Sequence, residues 1–148
     1  MNTFVAPEKL YFGRIHFVDG PAGETLGYML TLAASRQGYG PVIYVDCHNS
    51  FDPYYLHRTF KDRDPIGRLK KILVSRPFTV YQLRELVDKK LEEAVVKHKS
   101  KVLLVSAIDG FREDKETPII TKKVMDRIDS LTQRYGLITV VSKYRRWE

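Results

Sequence analysis

Residues 14–27, Arg14-Ile15-His16-Phe17-Val18-Asp19-Gly20-Pro21-Ala22-Gly23-Glu24-Thr25-Leu26-Gly27, place a short apolar run, a glycine- and proline-rich turn and a new hydrophobic period in direct succession. The run Arg14–Val18 has the length and β-branched character of a strand. From Thr25 to Gln37 the apolar residues Leu26, Met29, Leu30 and Ala33 recur on one helical face, and Gly38 is placed to cap that helix. Strand, tight turn and helix in this order are the layout of a phosphate-binding loop, which reads G-x-x-x-x-G-K-[ST]. This turn lacks that pattern. On its own it reads as a strand-to-helix connection requiring glycine geometry. An anion could still meet backbone amides at the helix N-terminus, but Glu24 at the mouth opposes it.

The same alternation continues outward. Further short apolar runs occur at Val42–Asp46, Ile72–Ser75, Val102–Ser106 and Leu137–Ser142. Most are continuously apolar, the pattern of strands buried on both faces. Between them, Asp52-Pro53 supplies a capping residue and a first-turn proline. Thr79–His98 carries the stripe Leu83, Leu86, Val87, Leu91, Ala94 and Val95. A last helix from Thr117 aligns Ile120, Val124, Ile128, Leu131 and Tyr135 before Gly136. Strands alternating with helices predict an α/β fold, a mainly parallel five-stranded sheet with helices on both faces. With 148 residues and no internal linker, the expectation is one domain over 1–148. Residues 1–12 read as an N-terminal extension and 143–148 as a basic, aromatic tail.

The chain has net charge +7, which favours an anionic partner such as nucleic acid. Its Lys and Glu content is equally that of a thermophile protein. No apolar run reaches the roughly 18 residues of a membrane span, and the first residues lack a signal-peptide pattern. The single Cys47 fits a reducing cytoplasm and reads as a small buried hydrophobe. The four histidines His16, His48, His57 and His98 show no zinc-type spacing, so no metal is expected. Basic residues cluster at Arg68–Lys71, Lys97–Lys101, Lys122-Lys123 and Lys143–Trp147. The last group, Lys143, Arg145, Arg146 and Trp147, mixes cations and aromatics able to pair with phosphates and stack on bases. The same mixture also anchors protein interfaces.

Taken in order, these segments resemble the ATPase core of RecA-type recombinases, above all the archaeal and eukaryotic ones and their paralogues. "RIHFVDGPAGETLGYMLTLAA" resembles the strand, Walker A loop and helix that open that core. "PVIYVDCHNSFDPYYL" is similar to its second strand. "ILVSRPFTVYQLRELV" is similar to the strand bearing an Arg and an aromatic, and "KVLLVSAIDGFRED" resembles the Walker B strand. "RYGLITVVSKY" resembles the last core strand, where the family has Thr-Asn in place of Ser142-Lys143. The likeness runs from about Gly13 to the end, and it implies a RecA-like P-loop-type fold.

It also implies what is missing. With Gly20 and Gly23 on the loop's glycines, Thr25 takes the last glycine position, Leu26 the lysine and Gly27 the Ser/Thr. Leu26 cannot reach phosphate, and Gly27 cannot hold Mg²⁺. Ser106 stands at the Walker B aspartate position, with Asp109 three residues late, and His48 stands at the catalytic glutamate position. No ATP hydrolysis and no cofactor are expected. A Phe-x-x-Ala protomer-linking motif has only the echo Phe4-Val5-Ala6, and no N-terminal helical domain is expected before the core. The resemblance therefore implies a catalytically inactive accessory protein of recombination and repair. Such a protein binds DNA, single-stranded DNA included, or a recombinase or other RecA-like protein, through Lys143, Arg145, Arg146 and Trp147 with support from Lys122 and Lys123. The alternative is a protein-interaction module or homodimeric subunit with no nucleic-acid role. A third reading is an enzyme built on Asp46, His48 and Asp109.

Overall fold

The apolar runs assemble into one sheet in which every strand pairing is parallel. The computed structural model describes residues 10–19, 39–48 and 70–143. Its strands are β1 (Arg14–Asp19), β2 (Val42–Asp46), β3 (Ile72–Ser75), β4 (Val102–Ser106) and β5 (Ile138–Lys143). They lie in the order β1-β5-β4-β2-β3. The helices are α1 (Val80–Glu85), α2 (Leu91–His98) and α3 (Thr117–Tyr135). This is an α/β fold. The helices expected at 25–37 and from Asp52, and with them the expectation of helices on both faces, lie outside the described residues.

Burial follows strand position. β2 and β4 are buried along their whole length, and β5 is buried up to Ser142. The outer strands are not: Phe17 on β1 is 48% exposed and Val74 on β3 is 38% exposed. The continuous apolar runs therefore mark doubly covered strands only in the middle of the sheet. Alternate residues feed two separate cores. Ile43, Val45, Leu103, Val105 and Val141 face the described helices. Val42, Tyr44, Val102, Leu104 and Val140 face the other way and are buried as well.

The connections β3→β4 and β4→β5 both step across the sheet toward β1. Right-handed crossovers then place α1, α2 and α3 on one face, where they share a core. On α3, Ile120, Val124, Ile128 and Leu131 are all buried. The final step of three residues corrects the drift accumulated by the steps of four. Gly136 ends the helix in the left-handed conformation (φ 62°), as its place after Tyr135 predicts.

Three elements differ from the sequence reading, the first being β1, which runs on by one residue to Asp19. Thr79–His98 is not one regular helix, because residues Leu86–Lys90 between α1 and α2 form a π turn. The buried stripe Leu83, Val87, Leu91, Val95 runs in steps of four throughout. Each such step overshoots a regular helical turn by about 40°. The wider turn, closed by Leu91 N–H donating to Leu86 O, absorbs the overshoot and keeps all four side chains on the sheet. The last strand is shifted by one residue. Leu137 N–H donates to Thr132 O (2.9 Å) and closes the helix end, so pairing begins at Ile138. Lys143 is the end of β5, paired in register with Asp19.

Candidate functional site

Because all five strands are parallel, their carboxyl ends share one edge of the molecule. The chain leaves β4 toward β5 and leaves β2 toward β3, in opposite directions from neighbouring strands. The crevice between two such strands is where open α/β sheets place their ligands. Here a cleft of about 230 Å³ opens at that point, lined by residues 46–48, 76–78 and 110–112.

Asp46 closes β2, in register with Ser106 at the end of β4. Its side chain is fully buried and lies 3.5 Å from Nε of Arg76. It also accepts a hydrogen bond from the backbone N–H of His48 (3.2 Å). Cys47 points into the helix-side core, and His48 next to it is exposed. Burial, reinforced by the carboxylates of Asp46 and Asp109, pushes the Cys47 thiol well above the usual range. A thiol held in this form is not a nucleophile.

Beyond Ser106 the chain turns sharply. Ala107 adopts φ 54°, a conformation that L residues enter at a cost. Hydrogen bonds hold it there: Ala107 N–H donates to Ser142 Oγ (2.8 Å), Ile108 N–H to Ser142 O (2.9 Å) and Gly110 N–H to Ala107 O (2.7 Å). Ser142 thus pins the exit of β4 from the adjacent strand. Phe111 then tucks into the helix-side core, which turns Arg112 outward into solvent.

On the opposite wall, Ser75-Arg76-Pro77-Phe78 leads into α1. Thr79 caps that helix by accepting the Gln82 N–H (3.1 Å), while Gln82 Oε1 accepts the Phe78 N–H (2.7 Å). The reciprocal pair fixes the backbone of Phe78 and leaves its ring 80% exposed. Further along the rim, Tyr81 Oη donates to Asp114 (2.8 Å) and Glu116 (3.2 Å). These carboxylates, Asp114 first, push the Tyr81 hydroxyl up to about 12. Asp114 also accepts the N–H groups of Glu116 (2.8 Å) and Thr117 (3.0 Å) at the start of α3.

The structure brings Asp46, His48, Ser106 and Asp109 to one place and sets other predicted residues apart. Lys122 and Lys123 are exposed in the second turn of α3, Lys122 facing Asp126 (3.8 Å). Lys143 stands at the carboxyl end of β5, on the same sheet edge as the cleft. Gly20, Gly23, Thr25, Leu26 and Gly27 lie outside the described residues, as do Arg145, Arg146 and Trp147. Gly110 and Arg112 carry no signal in the sequence, and Arg76 and Phe78 stand out there only as the Arg and aromatic of the "ILVSRPFTVYQLRELV" resemblance. The Arg-Pro-aromatic run marked a strand end, but nothing in it announced an exposed ring. Among the described residues no group of three or more His, Cys, Asp or Glu side chains is arranged to hold a metal ion. No helix among them is long and apolar enough to cross a membrane. Compared with models of protein families and with curated protein sequences, the chain matches none.

Proposed function

We propose that this chain is a RecA-like accessory protein of recombination and repair that binds single-stranded DNA, alone or beside a recombinase, without an ATP cycle. The observation that carries this reading is the make-up of the carboxyl edge. Where the resemblance requires a carboxylate for Mg²⁺, β4 ends in the buried Ser106, and the neighbouring Asp46 is committed to Arg76. Arg76, Arg112 and Lys143 are distributed along that edge beside Asp46 and Asp109, and of these cations Arg112 is exposed and lines the cleft. The strand order and the parallel sheet fit the resemblance, and the net charge of +7 fits a polyanionic ligand.

The test is the anisotropy of a labelled single-stranded oligonucleotide against the protein at several salt concentrations, with and without ATP and Mg²⁺. Binding that weakens steeply with salt and ignores ATP is the expected result. Its slope counts phosphate contacts at about 0.7 per contact. Absence of binding at low salt defeats the proposal and leaves the protein-interaction module or homodimeric subunit in its place. A second reading has its own observation: Asp46 and His48 line the cleft, and Asp109 immediately precedes the lining residue Gly110. Nucleotide turnover that disappears in His48→Ala would replace the first reading by an enzymatic one.

A further inference from the structure

The cleft between β2, β3 and β4 has a composition that the charge argument alone does not use. Its volume of about 230 Å³ is below the roughly 300 Å³ at which pockets for whole cofactors begin. It therefore suits one planar group and an attached anion. One wall ends in the Phe78 ring, 80% exposed on a backbone fixed by the Thr79–Gln82 cap. An aromatic ring left in water on a fixed backbone is a ready surface for stacking, since the backbone needs no further ordering on binding. Lining the same cleft, Arg112 is exposed, with no ion pair or side-chain hydrogen bond among the described residues. Arg76, also in the lining, is held by the buried Asp46.

Two of the acidic groups nearby, Asp46 and Asp114, are already engaged, while Asp109 and Glu113 flank the loop that carries Arg112. Asp46 has no exposed side-chain surface, and Asp114 is occupied by Tyr81, Thr117 and the first turn of α3. We infer that the cleft receives one nucleotide of a single strand, its base stacked on Phe78 and the adjoining phosphate paired with Arg112. This rests on the DNA-binding reading above and gives it a defined contact outside the tail. Stacking on one ring is tolerant of base identity, so the site recognises a base without choosing which.

The experiment compares two labelled strands of about 15 nucleotides, oligothymidine and the same sugar-phosphate chain with abasic positions, against the parent, Phe78→Ala, Phe78→Tyr and Arg112→Ala. Both side chains are exposed, so the variants should keep the parent's unfolding midpoint, which is measured first. The parent should bind oligothymidine roughly five- to hundredfold more tightly than the abasic chain. Phe78→Ala should lose that preference while keeping its abasic affinity, and Phe78→Tyr should retain it. Arg112→Ala should weaken both strands and lower the salt slope by about 0.7. If Phe78→Ala keeps the parent's preference for bases, the cleft is not the site, whatever Arg112→Ala does, and DNA binding through another surface stands. If the parent binds neither strand, this inference falls together with the function it rests on.

Discussion

A methyl group on Gly110 would lie 3.0 Å from the carbonyl oxygens of Ala107 and Cys47 and 3.1 Å from Nδ1 of His48. Two of those neighbours are backbone on different strands' exits, with little freedom to retreat. Gly110→Ala should therefore cost about 1–3 kcal/mol of stability in urea denaturation. The residue permits the exits of β2 and β4 to touch, which is what makes the cleft. Asp46 and Arg76 give a second expectation. Truncating Arg76 to Ala removes a partner of a carboxylate with no exposed surface, whereas Asp46→Asn removes the charge itself. Arg76 is 42% exposed, which moderates the loss to about 1–3 kcal/mol. Arg76→Ala should be the more destabilising of the two by thermal unfolding. An equal loss in both would show that the charge of Asp46 is matched by other groups. At this scale sequence reading was weakest. It placed Asp46 and His48 at a strand end, but pairing and exposure depend on which loops meet, and Gly110 carries no sign of its neighbours.

The two long helical segments are joined by Glu92. Its carboxylate accepts from Tyr135 Oη (2.9 Å), Arg134 (3.2 Å) and Arg127 (3.4 Å). The Tyr135 hydrogen bond, then Arg134 and Arg127, lower its pKa below the ordinary 4.5 against a partial opposing effect of burial. A lowered carboxyl value means stability present above pH 4.5 and lost as pH falls through the folded value. Glu92→Gln should flatten the decline of the melting temperature below pH 4.5, without abolishing it, since Asp114 is shifted in the same direction. The parent and the variant declining in parallel would sink this assignment. In the core of the same layer, Leu83→Ala should cost about 2–5 kcal/mol, as Leu83 is fully buried against the sheet. The helices themselves were legible, because a proline, a Thr cap and a terminal glycine bracket an unmistakable stripe. The π turn was not. Periodicity over Leu83–Val95 indicates a buried face but leaves open whether the backbone or the side chains absorb the mismatch.

At the scale of the molecule, the order β1-β5-β4-β2-β3 puts β4, β5 and β2 inside and leaves β1 and β3 at the margins of the described sheet. Amide hydrogen exchange should be slowest in β4 and β5 and faster in β3, where Val74 is already 38% exposed. Uniform protection across the sheet would contradict that ranking. The fold class was readable because apolar runs of strand length alternate with helical stripes. The order of strands was not, since it depends on pairings between segments far apart in sequence. The margins could not be told from the middle either, since Ile72–Ser75 is as apolar as Val102–Ser106. The pairing of β1 with β5 has a further consequence during synthesis. Ile138, which pairs with Arg14, is made about 120 residues later. At a ribosomal rate of about 5–20 residues per second, β1 waits on the order of 6–25 s for its neighbour. Through that interval its apolar run must be kept from other chains in the cell, a burden that falls on chaperones and the ribosome surface rather than on the finished protein.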